Sequence, residues 1–303
     1  MQFDRRQFLS GATAAAALGA LPAFSMSQSS GAKSAGTAPK FKKAVMLGMV
    51  QHTGPLVERF EILRDCGFDG VEIDSPSDIR TEELLAAKKA TGIGVEGTVD
   101  SVHWSKPLSD PDEKVRAAGL AGLERAIKDC SAWGGTSVLL VPAVVNERVG
   151  YDEAWERSTI EIKKALPVAE AAGVKIAIEN VWNSFLLSPL EAARYVDQFD
   201  SPWIGWHFDV GNVITYGWPE QWIRILGSRI LKLHIKEYSR KKRDELGRWK
   251  GFEVELGEGD CGWPAVVKAL REIGYDGWAC AEVGGGPKER LLDVSQRMDR
   301  ILA

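Results

Sequence analysis

A short apolar segment followed by an amphipathic stretch of helical length recurs eight times along this chain from residue 44 onward. The apolar segments are nearly continuous in apolar character and mostly β-branched, as in parallel strands covered on both faces. They are residues 44–50, 70–74, 93–99, 137–142, 174–181, 204–210, 230–237 and 277–283. About 263 residues follow the first forty, close to the roughly 250 of a typical barrel. The alternation therefore predicts a single (β/α)8 TIM barrel over residues 44–303.

Local signals mark where several helices begin and end. Ser188-Pro189-Leu190-Glu191 and Asp110-Pro111-Asp112-Glu113 each combine a capping residue, a proline at the first helical position and a glutamate that closes the capping box. Glycine follows several predicted helices before the next strand, as in DCGFDG and EIGYDG. Pro167 lies inside the fourth predicted helix and predicts a kink or a break there.

The first forty residues differ from the barrel region. Arg5 and Arg6 precede an Ala/Gly-rich apolar stretch that is too short and too weakly hydrophobic to span a membrane. The arrangement resembles a twin-arginine export signal, a route for proteins that fold before export. We therefore expect a signal peptide at residues 1–27, a periplasmic location and no stable membrane anchor. Residues 28–43 are small and polar with Pro and Gly, which predicts a flexible linker.

Charge and cysteine content restrict the function classes. A net charge of −4 offers no polyanion-binding surface, so nucleic acid is not an expected partner. The four cysteines are scattered and form no CxxC pair, which argues against a thiolate zinc site and favours buried free thiols. Their even number in an exported protein leaves a disulfide open. A homodimer or a homotetramer is compatible with the sequence.

Polar residues lie near the carboxyl ends of four successive predicted strands: Glu179, Asp209, His234 and Glu282. Reactive groups in such barrels lie at the carboxyl ends of the strands, and successive strands are neighbours, so these side chains can converge. Any one of them alone is more often a salt-bridge partner, a helix cap or a core histidine. The four together predict a site for one divalent cation, with Mn²⁺ the first expectation and Mg²⁺ or Co²⁺ the alternatives.

The segments IAIENVWN, WHFDVGN, LKLHIKE, VELGEGDCGW and ACAEVGG resemble, in order, the signature segments of the sugar isomerase/epimerase family with a xylose isomerase-like barrel. The similarity spans roughly residues 44–300 and is strongest over 174–285. Relatives include ketose 3-epimerases, hydroxypyruvate isomerase, inosose dehydratase and pentulose-phosphate epimerases. The resemblance implies that Glu179, Asp209, His234 and Glu282 hold one divalent metal, and that Glu179 and Glu282 also form the acid/base pair.

This set of residues is suited to enediolate chemistry. A chelated divalent cation stabilises the enediolate that forms when a carbon next to a carbonyl loses its proton. One glutamate would remove that proton and the other would return one, which gives epimerisation or aldose–ketose isomerisation. A lyase or hydratase of 3-keto-glycosides with the same site is the alternative enzyme, and a non-catalytic sugar-binding barrel is the alternative outside enzymes. Export favours a sugar or keto-sugar without phosphate.

Five further residues are expected at the substrate: Glu72, His103, Asn212, Lys236 and Glu258. Glu72 and His103 match positions that often face the substrate in the family, although a salt bridge or surface exposure is equally compatible. Lys236 lies two residues after His234 and should point the same way. Glu258 fits either the mouth of the barrel or a cap for a helix near residue 262. Asn212 replaces a histidine common in epimerases of free ketoses and looks more like the pentulose-phosphate version, which leaves the substrate class open.

Aromatic residues near the strand ends have two interpretations. Trp104, Trp182 and Trp206 suit the apolar faces of sugars, and they equally suit a large core. His207 points to the same side of its strand as Asp209, which fits either a core position or a hydrogen bond to a metal ligand. The charged segment 239–250 predicts a solvated loop that could also border the entrance.

Overall fold

The computed structural model describes residues 41–303, and the predicted signal peptide lies outside the described residues. Within this part of the chain, eight parallel strands pair in chain order and close into a barrel. The strands are β1 Lys42–Met46, β2 Gly70–Ser75, β3 Gly94–Asp100, β4 Ser137–Leu140, β5 Lys175–Glu179, β6 Ile204–Asp209, β7 Ile230–Ile235 and β8 Trp278–Ala281. The predicted (β/α)8 barrel is therefore confirmed.

Helices surround the barrel and connect its strands. They are α1 Leu56–Asp65, α2 Thr81–Thr91, α3 Glu113–Trp133, α4 Tyr151–Ala172, α5 Pro189–Asp197, α6 Pro219–Leu226, α7 Arg240–Leu246, α8 Trp263–Glu272 and α9 Lys288–Ile301. Among the residues that the structure describes, no helix has the length and apolar character needed to cross a bilayer. The connection between β7 and β8 is the most elaborate part of the mouth, because it contains α7, the 3₁₀ segment Arg248–Phe252 and α8.

Element boundaries differ from the predictions in two places. Strand β1 begins at Lys42, inside the segment predicted as a linker, and Phe41 before it is only 4 % exposed. Helix α3 is capped by Asp112, whose side chain accepts from the backbone N–H of Lys114 at 2.8 Å, so the helix starts two residues later than the predicted capping box. Ser188 caps α5 as predicted.

Helix α4 continues without a break through Pro167, so the predicted break at this proline is wrong. Proline removes one backbone donor and crowds the preceding turn, at a cost of about 3 kcal/mol. Ile162 and Ala165 before it, and Ala169 after it, are fully buried on the face that packs against the barrel. Apolar burial on both sides of Pro167 therefore keeps the helix continuous.

The interior of the barrel is apolar except for a few polar groups, most of which are paired; both ring nitrogens of the buried His207 lack a hydrogen-bond partner among residues 41–303. The four cysteines are buried and unpaired, which confirms the expected free thiols and removes the disulfide alternative. Low in the barrel, the ammonium of Lys232 lies 2.8 Å from a carboxylate oxygen of Glu96, and both residues are almost completely buried. A buried charge needs such a partner, because an isolated one costs several kcal/mol.

Glu237 fixes the long connection between β7 and β8. Its buried carboxylate accepts hydrogen bonds from the backbone N–H of Gly257 at 2.7 Å, the backbone N–H of Cys261 at 3.1 Å and the indole N–H of Trp263 at 2.7 Å. Bonds from several donors to one buried carboxylate are among the stronger hydrogen bonds in proteins. This carboxylate therefore holds the connection that forms one wall of the mouth.

Candidate metal centre and active site

Four side chains from neighbouring strands meet at the carboxyl end of the barrel. Glu179 and Asp209 are the last residues of β5 and β6, His234 lies in β7, and Glu282 directly follows β8. The strand register places Asp209 beside His234. One ligand atom from each of the four lies within 4.8 Å of the others. The structure thus brings together all four residues that the sequence analysis selected.

His234 is at the centre of this cluster. Its Nδ1 lies 3.1 Å from Glu179 Oε1 and 3.0 Å from Glu282 Oε2, and its Nε2 lies 2.8 Å from Glu72 Oε2. Burial alone would lower the pKa of His234, but the carboxylates of Glu72 and Glu282 outweigh burial and raise that pKa well above its usual value. A proton kept on Nε2 by Glu72 leaves Nδ1 as the nitrogen that can bind a cation.

The ammonium of Lys236 lies among the same carboxylates. Its Nζ is 2.9 Å from Asp209 Oδ2 and 2.7 Å from Glu282 Oε2. Burial opposes the charge, but Asp209 and Glu282 outweigh burial and raise the pKa of Lys236 above its usual value. Lys236 therefore points the same way as His234 and partly neutralises the cluster.

The donor set fits a divalent cation. Asp209 is fully buried, and its Oδ1 accepts from the backbone N–H of Asn212 at 2.8 Å. Neither Asp209 Oδ2 nor Glu282 Oε2 accepts a hydrogen bond from residues 41–303, although both form ion pairs with Lys236. Lys236 supplies one positive charge to the three carboxylates of the cluster, so a divalent cation can bind there when His234 is neutral. Three carboxylates and one imidazole suit a hard or borderline ion such as Mn²⁺, Mg²⁺ or Co²⁺.

The two glutamates of the cluster have opposite ionisation preferences. Burial raises the pKa of Glu179 to about 7, although the hydrogen bond from His234 opposes this shift. Burial also disfavours the ionised form of Glu282, but Lys236 and His234 outweigh burial and hold the pKa of its carboxyl well below its usual range. Near pH 6 one carboxyl is therefore protonated and the other ionised, an arrangement typical of acid/base pairs. A dication bound by both would favour the ionised form of each.

Glu72 takes the alternative of a buried salt bridge, with His234, and not the expected position at the substrate. It is 2 % exposed, and it lines neither cavity of the mouth. Its Oε2 contacts His234, and its Oε1 lies 3.9 Å from Nδ1 of His207, a fully buried ring whose centroid is 4.1 Å from that of His234. The structure therefore places Glu72 below the cluster, where it orients His234 and does not reach a substrate.

This placement predicts that Glu72→Gln weakens divalent-metal binding by about 10- to 100-fold, as is typical when the partner of a ligating histidine is changed. Unlike the carboxylate of Glu72, the glutamine amide carries no charge to hold the proton on Nε2 of His234 or to raise the basicity of that imidazole. Isothermal titration calorimetry with Mn²⁺ measures the effect. Glu58→Gln is the matched control, because Glu58 also contacts a histidine, His52, but on the exposed surface. Equal Mn²⁺ affinity of wild type and Glu72→Gln would contradict the assignment.

His103 and Asn212 lie at the mouth as predicted. His103 is buried in the wall of the smaller cavity, where its Nδ1 accepts from the backbone N–H of Val141 at 3.4 Å. Burial lowers the pKa of His103 to about 4, so its ring is neutral near pH 7. Asn212 lines the larger cavity, and its side-chain NH₂ donates to the carbonyl of Asn180 at 2.9 Å. Asn212 therefore also stabilises the loop that follows Asp209.

Glu258 lies away from the substrate region. Its carboxylate accepts from Nη1 of Arg297 in α9 at 2.8 Å, and it lines neither cavity. The alternative that Glu258 caps α8 is also wrong, because Gly262 precedes that helix without a side-chain cap. Glu258 is therefore an exposed ion-pair partner, and the prediction that it contacts the substrate is corrected.

Two cavities open at the mouth and share Trp104, Glu179 and Glu282 as lining residues. The larger, of about 720 Å³, extends towards the connection between β7 and β8. The smaller, of about 380 Å³, lies on the side of β1 to β3. Because the catalytic candidates line both cavities, a ligand at Glu179 and Glu282 can extend into either one.

Two acidic residues of the smaller cavity were missed by the sequence analysis. Asp74 and Asp100 lie at the ends of β2 and β3 and line this cavity. Asp100 Oδ1 accepts from the backbone N–H of Val102 at 3.2 Å, whereas Oδ2 is buried and accepts no hydrogen bond from the described part of the chain. Burial raises the pKa of Asp100 to about 7. The signal was available, because Asp74 ends the predicted strand 70–74 and Asp100 directly follows the predicted strand 93–99.

The aromatic residues separate into core and cavity positions. Trp206 is fully buried and its indole N–H donates to Asn180 Oδ1 at 3.1 Å, so it belongs to the core. Trp104 and Trp182 line the larger cavity. Trp249 and Phe252 also line this cavity. Trp249 belongs to segment 239–250, for which the sequence left open a solvated loop or a border of the entrance, and its position fits the second alternative.

Comparison with known proteins identifies related sequences. A family model described as xylose isomerase-like TIM barrel matches residues 60–301. The putative L-ribulose-5-phosphate 3-epimerase SgbU of Escherichia coli (strain K12) is 26 % identical over 79 % of this chain and 87 % of its own length. The L-ribulose-5-phosphate 3-epimerase UlaE of Escherichia coli O1:K1 is 27 % identical over 78 % of this chain and 86 % of its own length.

Solved structures share the fold. The apo crystal structure of the 3-keto-D-glucoside 4-epimerase YcjR from E. coli superposes with a TM-score of 0.71 at 20 % identity, covering 86 % of this chain and 99 % of that one. A structure of L-ribulose 3-epimerase gives a TM-score of 0.72 at 20 % identity, covering 87 % of this chain and 95 % of that one. At these identities the similarity establishes the barrel and no more.

Proposed function

This chain belongs to the xylose isomerase-like TIM barrel family, and on that premise we propose that it is a divalent-metal-dependent sugar epimerase or isomerase. The observation that carries the proposal is the convergence of Glu179, Asp209, His234 and Glu282 at the mouth of the barrel. Glu179 and Glu282 form the acid/base pair of the proposed reaction. Both carboxylates lie within 3.1 Å of Nδ1 of His234 and line both cavities, which supports this role.

The relatives favour epimerisation over the alternatives. SgbU and UlaE are named as L-ribulose-5-phosphate 3-epimerases, and the two solved structures are named as epimerases of a 3-keto-glucoside and of L-ribulose. None of these four is named as a lyase. We therefore rank a sugar epimerase first, an aldose–ketose isomerase second, and a lyase or hydratase of 3-keto-glycosides after both.

The proposed metal site consists of the four converging residues, with Mn²⁺ as the first candidate and Mg²⁺ or Co²⁺ as alternatives. When bound, the ion supplies Lewis-acid stabilisation of negative charge that develops on a substrate oxygen. Glu72 keeps the proton of His234 on Nε2 and so presents Nδ1 to the site. Asn212 and Asn180 fix the backbone around Asp209, which holds its carboxylate in place.

Glu179 and Glu282 transfer the protons. The two residues come from β5 and β8, which are separated by two strands, so their carboxyl groups approach a bound sugar from different sides. The ionised Glu282 receives the proton from the carbon next to the carbonyl, and the protonated Glu179 delivers one to the other face. Delivery to the opposite face inverts that carbon. Lys236 contacts Glu282 and lines the larger cavity, so in the proposed reaction its ammonium donates to an oxygen of the bound sugar.

Charge around the larger cavity supports a substrate without phosphate. Among the residues that the structure describes, Lys236 and Arg290 are the cations that line this cavity. Arg290 is already paired with Glu255 at 2.7 Å. Glu253, which lines the same wall, is paired with Lys250 at 2.5 Å, so the charges of this wall largely balance one another. A phosphate dianion would have to compete with Glu255 and Glu282 for Arg290 and Lys236, and Arg248 is engaged in stacking on Trp182 at 4.2 Å. The proposed substrate is therefore a neutral sugar or keto-sugar.

The proposal also places the enzyme in the periplasm. This part depends on the twin-arginine pattern around Arg5 and Arg6, which lies outside the described residues. Twin-arginine export carries folded proteins, so the enzyme would be exported with its barrel already formed.

Solvent-exchange spectroscopy tests the proposed function. The Mn²⁺-loaded protein is incubated in D₂O with free ketoses and 3-keto-sugars, and the products are followed by ¹H NMR. We expect deuterium at one carbon and a new epimer that accumulates with time. Dehydrated products would favour the lyase alternative. Saturable binding without any exchange would favour a non-catalytic sugar-binding barrel and would overturn the proposal.

A further inference from the structure

The larger cavity extends beyond the candidate catalytic residues. Glu179 and Glu282 lie at its inner end, and the long connection between β7 and β8 contributes the outer wall. A cavity of about 720 Å³ lies in the range of roughly 300–1,000 Å³ typical of sites that hold a drug-sized ligand. A ligand that fills it must therefore extend from the acid/base pair towards this connection.

Three aromatic side chains form a continuous surface in that wall, which we call the aromatic wall: Trp182, Trp249 and Phe252. The ring centroids of Trp182 and Trp249 are 4.6 Å apart, and those of Trp182 and Phe252 are 4.9 Å apart. The indole N–H of Trp182 donates to the carbonyl of Asn212 at 2.8 Å, which anchors the wall to the loop that follows Asp209. The wall is therefore fixed in position relative to the metal cluster.

Aromatic clusters that only stabilise a fold are normally buried, whereas aromatic side chains of this cavity are exposed. Trp249 is 68 % exposed and Trp104, which lines the same cavity, is 53 % exposed. Buried aromatic residues such as Tyr238, packed beneath Phe252, already stabilise the connection. Large aromatic surfaces left in contact with solvent inside a cavity are typical of ligand-binding sites.

The aromatic faces of the wall favour a ligand with a neutral ring. Flat aromatic faces pack against the apolar C–H faces of sugar rings and against aryl groups. Glu253, Glu255 and Arg290 border the same cavity and can bond hydroxyl groups at the edge of such a ring. Glu253 and Glu255 are paired with Lys250 and Arg290, and the Arg248 guanidinium stacks on Trp182 at 4.2 Å, so the charged groups of this wall are already engaged and a neutral ligand fits it.

We propose that the substrate is a glycoside in which a second neutral ring lies on the aromatic wall while the reacting keto-sugar ring lies between Glu179 and Glu282. The inference deepens the proposed function and rests on it for the position of the reacting ring. The second ring is either another sugar or an aryl aglycone, and both present the same flat neutral surface. Glu179 and Glu282 line both cavities, so the reacting ring can bond the polar groups of the smaller cavity at the same time.

Calorimetric titration of the Mn²⁺-loaded full-length protein tests the inference with four probes: glucose, cellobiose, 4-nitrophenyl β-D-glucoside and glucose 6-phosphate. We expect at least one two-ring probe to bind about tenfold more tightly than glucose. Preference for cellobiose identifies a sugar as the second ring, and preference for the nitrophenyl glucoside identifies an aryl group. Glucose 6-phosphate should bind no better than glucose.

Trp249→Ala should remove this preference, so that the ratio of the dissociation constants of glucose and the two-ring probe falls about tenfold, to near one. Trp218→Ala is the matched control, because Trp218 is 55 % exposed, packs against Arg240 and lines neither cavity. The ratio should be unchanged in this control. The circular dichroism of both variants should match that of wild type, since both indoles are exposed.

Equal affinity of wild type for one-ring and two-ring probes would overturn the inference, as would an unchanged ratio in Trp249→Ala. The deuterium-exchange experiment separates this failure from failure of the proposed function. Exchange into a keto-sugar without a preference for two-ring probes would overturn only the inference. A preference for two-ring probes that Trp249→Ala removes, without exchange into any keto-sugar, would overturn the proposed function and leave the ring-binding surface in place.

Discussion

Glu282→Gln should lower the rate of solvent-deuterium exchange into the keto-sugar substrate by about 10²- to 10⁴-fold, the usual contribution of a positioned acid or base. Lys236 and His234 hold the pKa of the Glu282 carboxyl well below its usual range despite its burial, so wild type has an ionised group ready to receive a proton. Glutamine keeps the shape and a carbonyl ligand but cannot accept that proton. The exchange rate is measured by NMR at saturating Mn²⁺.

Two controls make this result specific. Glu272→Gln also removes a carboxylate that is paired with a cation, Arg224, but on the exposed surface, and it should exchange at the wild-type rate. The Mn²⁺ affinity of Glu282→Gln is measured in parallel, so that a loss of metal is not mistaken for a loss of the base. Exchange within twofold of wild type at full Mn²⁺ occupancy would exclude Glu282 as a proton carrier.

Removal of divalent metal should abolish exchange, and added Mn²⁺ should restore it. Without the ion, the positive charge at the cluster comes from Lys236 and His234, which lie within 3.1 Å of its carboxylates. These two groups balance the ground-state charge, but they do not provide the Lewis-acid stabilisation that the proposed reaction requires. The experiment compares chelator-treated protein before and after addition of Mn²⁺, Mg²⁺ or Co²⁺.

The fold of the stripped protein serves as the control. The barrel buries its own apolar core, and the ion pairs of Lys236 compensate the carboxylates at the mouth. The stripped protein should therefore retain its circular dichroism spectrum and a cooperative thermal transition. Undiminished exchange in protein shown to be free of metal would contradict a metal-dependent mechanism.

The fold and the central cluster were predictable because both depend on short-range periodicity. Each strand is a short apolar run, and the residue that ends it lies at the mouth in any parallel barrel. This rule selected Glu179 and Asp209, which are the last residues of their strands. The same rule applies to Asp100, the last residue of β3, and nearly so to Asp74, one residue before the end of β2; both were overlooked.

Depth within the barrel was harder to predict. Glu72 lies three residues before the end of β2, so its side chain belongs to a lower layer than the ligands and meets His234 from below. The family resemblance alone suggested a position at the substrate. How deep the Glu72 side chain lies in the barrel depends on how many residues separate it from the end of its strand. The predicted strand ended at residue 74, one residue before the observed end of β2.

The aromatic wall and the position of Glu258 depend on contacts between residues far apart in sequence. Trp249 lies in a segment whose charge predicts a solvated loop, and only its packing against Trp182 places it in the cavity. Glu258 is drawn to Arg297, 39 residues later, and so faces away from the mouth. Neither contact leaves a local pattern in the sequence, because both are set by how the connection between β7 and β8 folds over the barrel.

Titration of the metal-free protein with Mn²⁺, followed by the electron paramagnetic resonance signal of free Mn²⁺, tests most directly whether the four converging residues form a metal site. Wild type should remove one equivalent of Mn²⁺ per chain from solution. Asp209→Asn should bind at least about 100-fold more weakly, since it removes the charge of a fully buried ligand. Failure of wild type to bind Mn²⁺, or equal binding by Asp209→Asn, would contradict the site.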